Sequence, residues 1–273
     1  MLRTIFIFLF IGNSWYLGSQ ELYIFSEPAS NMPAKSITAK LSAQLMPQKS
    51  TLKQRYTPEW QVGFNAKFMA HFGTSFSNIY QQGLSWDGAF VYGQYRFLSV
   101  DEVHKHFRMA VFTEAGLSRD HNEFDEINLR GDKSGIKLGL IATQLWHKIA
   151  LSGTVSNTQV LHSSRFNKVY YIPKRHYQSL NYSLSAGYLL LPKEYTSYRQ
   201  LNVNLYAELL GQKLLDGNKY FLDLAPGLQF IVNSNAKINL GYRFQLNGNM
   251  HRMGTQSYYV SFEKTFFNAL KKN

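Results

Sequence analysis

The residue types needed for nucleophilic hydrolysis occur together just after position 70. His71 is followed by Ser75, Ser77 and Asn78, and a histidine oriented by an amide can activate a serine hydroxyl. His71 and Ser75 share one face of an extended chain, but four residues separate them by roughly 13 Å. That distance is too long for a hydrogen bond. We therefore expect polar residues at a strand end and no catalytic residue, and a hydrolase is the third functional alternative.

Two other clusters contain residue types that bind metal ions. In DEVHKH at 101–106, His104 and His106 share a face beside Asp101 and Glu102, which suits chelation but also an ordinary polar turn. HNEFDE at 121–126 offers carboxylates for Ca²⁺ without the spacing of an EF-hand loop, so a solvated acidic loop is expected. The absence of cysteine excludes thiolate ligands and disulfides. We predict no metal and no cofactor.

A larger set of charged residues recurs at alternate positions of extended segments. Alternation places these side chains on one face, where they would either line a pore and set its ion preference or pair with one another. Seven are cationic and four are acidic, which leaves an excess of three positive charges. The set consists of Lys40, Lys67, Arg96, Arg108, Lys137, Lys148, Arg243, Glu114, Glu208, Asp223 and Glu263.

The segments that would position these side chains show a period of two. In residues 59–72, EWQVGFNAKFMAHF, Trp60, Phe64 and Phe68 alternate with Gln61 and Lys67, which predicts a single long β-strand. Strands of globular proteins contain about five to six residues, whereas a tilted membrane-spanning strand needs roughly 9–11. The length and the continuous apolar face therefore predict a strand of a membrane barrel.

Eleven such segments can be identified along the chain, and bacterial single-chain barrels have even strand numbers. We predict an all-β, transmembrane, antiparallel up-and-down β-barrel of 10–12 strands and favour twelve, with residues 22–25 as a possible twelfth strand. A lipocalin-like fold is the soluble alternative. Its polar face would be rich in Lys and Glu, whereas here Ser, Asn, Gln, Thr and Gly dominate.

Composition agrees with a barrel. Aromatic residues make up 15% of the 273 residues, and the mean hydropathy is −0.27. The formal net charge of +12 is of the kind found in nucleic-acid-binding proteins. However, the basic residues are scattered over the chain and form no stripe, so we predict no nucleic-acid partner.

Four regions follow one another in the predicted organisation. Residues 1–19 have the charged start, short apolar core and small residues of a secretory signal peptide. An N-terminal extension at 20–35, the barrel at 36–267 and a tail at 268–273 follow. The long connections 119–132, 157–177 and 247–256 would face outward and the short ones, 146–148 and 233–235, the periplasm. This arrangement predicts an outer-membrane protein with a periplasmic C-terminus.

Several stretches resemble an uncharacterised outer-membrane β-barrel family of Bacteroidetes-type bacteria. They are EPASNMPAKS at 27–36, PEWQVGFNAKFM at 58–69, YRFLSVDEVHKHFRMA at 95–110, TQLWHKIALSG at 143–153 and DLAPGLQFI at 223–231. The resemblance implies a porin-like barrel in outer-membrane lipid and assigns no activity. The last strand also resembles the signal read by the barrel-assembly machinery, through Tyr258, Val260, Phe262, Phe266 and Phe267, although six residues follow it.

Two functions remain open. Polar inner faces and the excess of positive charge favour a narrow passive channel for small polar or anionic solutes. A closed barrel with a structural or surface-interaction role needs the same walls, and its outer loops would make the contacts. The Arg130-Gly131-Asp132 tripeptide in such a loop matches an adhesion motif, but we expect it to be a chance match.

Overall fold

A computed structural model describes residues 23–48, 51–102, 105–119, 123–162, 176–192 and 200–271. They form twelve antiparallel strands closed into one barrel, which confirms the predicted fold and the favoured strand number. The strands are β1 Ser36–Pro47, β2 Leu52–Gly63, β3 Phe68–Ser77, β4 Ser85–Glu102, β5 Lys105–Ser118, β6 Ser134–Trp146, β7 Ile149–His162, β8 Gln178–Leu191, β9 Asn202–Leu214, β10 Tyr220–Val232, β11 Ala236–Gly248 and β12 Gln256–Phe266. No helix within the described ranges is long and apolar enough to cross a membrane.

Each strand pairs with its neighbours in sequence, and β1 pairs with β12 to close the wall. Ile37 lies opposite Phe266 at one end of this seam, and Leu45 lies opposite Tyr258 at the other. Thr38 and Thr265 join the seam inside the barrel through a 2.8 Å hydrogen bond between their hydroxyls. Because the barrel is closed, the backbone N–H and C=O groups of every strand have hydrogen-bonding partners. A sheet surrounded by hydrocarbon requires this.

The long strand predicted at 59–72 is a hairpin, and the prediction is wrong on this point. β2 ends at Gly63 and β3 begins at Phe68, because the side-chain oxygen of Asn65 accepts bonds from the backbone N–H of Lys67 at 2.8 Å and of Phe68 at 2.9 Å. Across the hairpin Trp60 pairs with Phe72. Residues paired across two strands point to the same face of the sheet. Because both paired residues here have even numbers, the alternation of apolar and polar residues continues unchanged through the turn. The twelfth strand comes from this hairpin, and Tyr23–Phe25 are not a strand.

The outer face of the wall is apolar. Exposed large side chains occur on every strand, among them Leu41, Trp60, Phe72, Val91, Leu117, Leu138, Val155, Leu184, Leu205, Ile238, Leu240 and Phe262. The strands contain between 10 and 18 residues, which meets the roughly 9–11 that a transmembrane strand needs. The sequence and the strand lengths together produce a surface suited to lipid.

The two ends of the barrel differ. At one end, called the terminal end, β1 begins, β12 ends and the connections are 64–67, 103–104, 147–148, 192–201 and 233–235. At the other end, called the loop end, the connections are 48–51, 78–84, 119–133, 163–177, 215–219 and 249–255. The predicted long connection at 157–177 is shorter because β7 continues to His162, and residues 163–175 lie outside the described ranges.

Two parts of the chain lie inside the barrel. Residues 23–33, called the inner segment, precede β1 and lie in the lumen towards the terminal end. Residues 123–133, called the inward loop, connect β5 to β6 and fold into the loop end. Eight-stranded barrels are filled by their own side chains, whereas wider barrels leave space. In this twelve-stranded barrel the two inserted parts occupy much of that space.

Candidate functional site

One carboxylate holds the start of the inner segment. Glu208, on the lumen face of β9, has no solvent exposure. It accepts backbone N–H bonds from Ile24, Phe25 and Ser26, each at 2.9 Å. The Ser26 hydroxyl donates to Glu208 at 2.6 Å and lies 2.8 Å from the hydroxyl of Ser185. Three successive N–H groups and two hydroxyls therefore satisfy a buried charge that has no cationic partner among the described ion pairs.

The lumen wall has space for the apolar side chains at the beginning of the inner segment. The ring of Phe25 lies 5.2 Å from that of Tyr259. Ile24 contacts β10 and β11 at Gly227 and Gly241, where a Cβ would overlap the side chains of Ile24 and Phe25. Glycine at these two strand positions permits a close approach that any larger residue would prevent.

The second half of the inner segment lies against β4, β5 and β6. Ala29 is fully buried, and its N–H donates to the Thr143 hydroxyl at 2.9 Å. Gln94 donates to the carbonyl oxygen of Pro28 at 3.0 Å, and Arg108 donates to the Ser30 hydroxyl at 2.8 Å. Around these bonds Ala29 packs in an apolar cluster with Met69, Tyr92, Ala110, Phe112 and Ile141. The segment thus covers an apolar part of the lumen wall.

A chain of ion pairs holds the inward loop above the cavity. Arg130 lies 3.0 Å from Glu114 and 3.7 Å from Glu59, and Lys137 lies 3.2 Å from Glu114. Ile127 forms two further bonds to Gln212, donating from its N–H at 2.9 Å and accepting at its carbonyl oxygen at 2.8 Å. The loop is therefore fixed to opposite parts of the wall.

The Arg130-Gly131-Asp132 tripeptide belongs to this inward structure. Asp132 forms a two-point ion pair with Arg55, and the hydroxyl of Tyr80 donates to it at 2.7 Å. Gly131 has φ +118°, and a Cβ there would lie 3.1 Å from the side chains of Asp87 and Ser75. Since Asp132 is buried, the expected chance match is now explained by a packing role.

A second group of ion pairs lies at the loop end. Arg252 contacts Asp223 through two bonds of 2.8 Å and Glu126 at 2.9 Å, and Arg243 contacts Asp223 at 2.5 Å. Burial alone would raise the pKa of Glu126, but Arg252 and Arg243 hold that pKa below its ordinary value. Asp125 is also paired, 2.6 Å from Lys219, whereas Glu123 is exposed. The predicted solvated acidic loop is therefore wrong for Asp125 and Glu126.

Between the two inserted parts lies a cavity of about 380 Å³. Its wall combines charged side chains with amides and hydroxyls such as Asn181, Ser183 and Gln229. Six cationic and five acidic side chains line it, an excess of one positive charge: Lys40, Arg55, Arg130, Lys137, Lys237, Arg243, Glu27, Glu59, Glu114, Glu126 and Glu263. One local excess occurs where Lys40 and Lys237 share Glu263, at 3.6 and 3.4 Å. Such a surface suits a small polar solute.

The predicted lumen charges have several different surroundings. Lys40, Glu114, Lys137, Arg243 and Glu263 line the cavity. Glu208 and Arg108 bind the inner segment, Asp223 binds two arginines, and Arg96 donates to the carbonyl oxygen of Ala66 at 2.7 Å.

Lys67 and Lys148 do not belong to the wall. They lie in the turns after β2 and after β6. Lys67 leaves the wall because the predicted strand at 59–72 is a hairpin, and Lys148 lies in the short connection predicted at 146–148.

The hydrolytic grouping is not assembled. His71 is buried, with Nδ1 3.1 Å from Glu59 and its ring 4.9 Å from that of Tyr92. The Ser75 hydroxyl donates to the carbonyl oxygen of Arg130, and Asn78 bonds to the backbone of β2. The Ser77 hydroxyl accepts the backbone N–H of Ile79 at 3.3 Å, so each residue considered as a partner of His71 is engaged elsewhere.

The two clusters considered as metal ligands show only ordinary pairings among their described residues. His106 lies 2.8 Å from Asp101, which also binds Arg108, and His104 lies outside the described residues. Within the described ranges there is no group of three metal-binding side chains.

Several lumen residues were missing from the predicted set. Arg55, Glu59, Lys237, Arg130 and Arg252 all form buried or partly buried ion pairs. Glu59 lies in the predicted strand at 59–72, on the same face as Gln61 and Lys67, so the alternation could have identified it directly. Arg55 and Lys237 follow in the same way once β2 and β11 are given their full length. Arg130 and Arg252 lie in connections, where no periodicity indicates the direction of a side chain.

The predicted assembly residues lie along the last strand and directly after it. Tyr258, Val260, Phe262 and Phe266 are exposed on the outer face of β12, and exposed Phe267 follows the strand. The N–H of Leu270 donates to the carbonyl oxygen of Lys35 at 3.1 Å. Recognition by the assembly machinery remains a prediction.

Comparison with known proteins identifies the fold. No family model and no curated protein sequence matches the chain, so the resemblance to an uncharacterised family remains an expectation. An outer membrane channel from Pseudomonas putida F1 superposes with a TM-score of 0.58 at 11% identity, covering 89% of this chain and all of that one. The NanC porin, at 10% identity and with 84% and 98% of the two chains covered, gives a TM-score of 0.48. The chain has the fold of an outer-membrane β-barrel.

Proposed function

We propose that this protein is a narrow channel of the outer membrane for small polar solutes. The observation that carries the proposal is the polar cavity of about 380 Å³ inside a wall whose outer face is apolar. A barrel that served only as a scaffold would not need a lumen lined by amides, hydroxyls and charges of both signs. The similarity to a channel of known structure concerns the fold and is compatible with this function.

Orientation follows from the two ends of the barrel. Barrels of this type have short periplasmic turns and long outer loops, so the terminal end would face the periplasm and the loop end the exterior. Cell fractionation and gel mobility with and without boiling test the location. A soluble periplasmic protein whose mobility does not change on boiling would contradict it.

The solute class follows from the charges of the cavity wall. The described lining residues have an excess of one positive charge, which predicts a weak preference for anions. The set chosen from the sequence had an excess of three and suggested a stronger preference. Arg243 lines the cavity, whereas Arg96 and Arg108 lie at the terminal end. Changing Arg243 to Glu should therefore shift selectivity towards cations more than the same change at Arg96.

Recording ion currents through purified protein in planar lipid bilayers tests the proposal. We expect discrete openings with a small anion preference that Arg243→Glu reverses. Absence of openings at every voltage, in protein that retains its heat-dependent gel mobility, would contradict channel function.

A closed structural barrel is the second candidate, and specific contacts favour it. Most charges of the cavity wall are paired with one another. Apolar side chains also pack together at the loop end, in a cluster of Ile127, Val160, Leu214, Phe221 and Met250. The channel therefore requires that part of the lumen content can move.

A further inference from the structure

The inner segment differs from the inward loop in how the chain holds it. The inward loop is covalently continuous with β5 and β6 at both ends. Within the described ranges, the inner segment is continuous with the wall only through the turn at Ala34 and Lys35, which leads directly into β1. Residues 23–33 can therefore leave the lumen without breaking any bond between strands.

The contacts of the inner segment are those of a bound peptide. Glu208 accepts three successive backbone N–H groups, Thr143 accepts a fourth from Ala29, and Gln94 donates to the carbonyl oxygen of Pro28. Most of these bonds involve the peptide backbone, and pockets at Gly227 and Gly241 accept side chains. Backbone bonds combined with side-chain pockets are the way extended peptides are generally recognised.

The wall beneath the segment is unsuited to a permanently open bore. Met69, Ala110, Phe112 and Ile141 are buried in the cluster around Ala29, and they would face water if the segment were absent. Glu208 would likewise lose its described partners on the segment while remaining inside the barrel. The closed arrangement is therefore the resting one.

We propose that the lumen contains a binding site for an extended peptide, formed around Glu208, Thr143, Gln94, Gly227 and Gly241, and that residues 23–33 of this chain are its reversible ligand. Binding closes the terminal end of the bore and release opens it. The opening and closing of the bore rest on the proposed channel function, whereas the peptide-binding site does not depend on it.

The main experiment compares the currents of full-length protein with those of a variant lacking residues 23–33. We expect the deletion to raise the open probability several-fold. A synthetic peptide YIFSEPASNMP should restore closure, whereas a scrambled peptide of the same composition should not. Unchanged currents in a deletion variant that retains heat-dependent gel mobility would overturn the proposal.

A point variant covers the case in which the deletion fails to fold. Glu208→Gln removes the charge that holds the segment, and the loss of one charge-assisted hydrogen bond corresponds to a change of about ten- to a hundredfold in equilibrium. We expect an increase of that order in the ratio of open to closed time. The matched control is Glu102→Gln, because Glu102 is exposed at the end of β4. Equal effects of the two changes would refute the role of Glu208.

If neither the full-length protein nor any variant conducts, binding of a labelled peptide tests the peptide site separately from the channel function. Absence of current would contradict the channel, while saturable binding of fluorescent YIFSEPASNMP to the deletion variant, weakened by Glu208→Gln, would support the peptide site. No binding to a folded deletion variant would overturn the site as well.

Discussion

The ion pair between Arg55 and Asp132 should contribute strongly to stability. The two side chains are 4% and 6% exposed, and Asp132 also accepts a bond from Tyr80. Replacing Asp132 with Ala leaves a buried guanidinium with one weaker partner, Asp87, at 3.3 Å. Removing one partner from a buried pair costs about 3–5 kcal/mol. Because Asp87 remains, we expect about 3 kcal/mol, the lower part of that range.

A second Arg–Asp pair in the same chain provides the control. Arg108 and Asp101 lie 3.0 Å apart, but the Asp101 side chain is 48% exposed, and exposed pairs contribute only about 0–1 kcal/mol. The assay is equilibrium urea unfolding in lipid vesicles, followed by tryptophan fluorescence. If Asp132→Ala costs no more than Asp101→Ala, the inward loop is not held by a buried ion pair and this description of the loop end is wrong.

Three further predictions concern packing, pH and assembly. Gly139→Ala should lower the unfolding free energy by about 1–3 kcal/mol, because a Cβ there would lie 2.5 Å from Phe112 and Ser156, whereas Gly153→Ala has no contact nearer than 4.0 Å and should have little effect in the same urea assay. The depressed pKa of Glu126 means that its pairing stabilises the fold above the ordinary pKa of 4.5 and is lost as pH falls through the lower folded value. Wild type should therefore lose more stability than Glu126→Gln on acidification below that pH, and equal losses would refute the pairing. Deleting residues 268–273 should leave membrane insertion intact in a fractionation assay, and failure to insert would contradict an assembly signal that ends at Phe267.

The wall of the barrel could be predicted from the sequence because a strand between lipid and lumen repeats every two residues. Leu184, Leu205 and Leu240 have outward positions on that basis alone, and all three are exposed on the outer face. The hairpin between β2 and β3 escaped prediction because the pairing of Trp60 with Phe72 preserves parity across the turn.

The content of the lumen could not be predicted in the same way. Ser26 and Glu208 are separated by 182 positions, and no local periodicity relates a backbone N–H near the N-terminus to a carboxylate on β9. The inward position of Arg130 likewise depends on Glu114 and Glu59 on two other strands. Parity identified Glu114 and Glu208 as lumen residues, but their partners lie in segments without a regular pattern.

A disulfide between the inner segment and the wall tests most directly whether the lumen is closed by residues 23–33. The natural chain has no cysteine, and the Ser26 and Ser185 hydroxyls lie 2.8 Å apart. The control pair, Thr38 and Thr265 on neighbouring strands, is also joined at 2.8 Å. We predict that Ser26→Cys/Ser185→Cys cross-links under mild oxidation as completely as Thr38→Cys/Thr265→Cys, and that its bilayer currents are low until reductant is added. Cross-linking of the control pair without cross-linking of the Ser26/Ser185 pair would contradict the closed lumen.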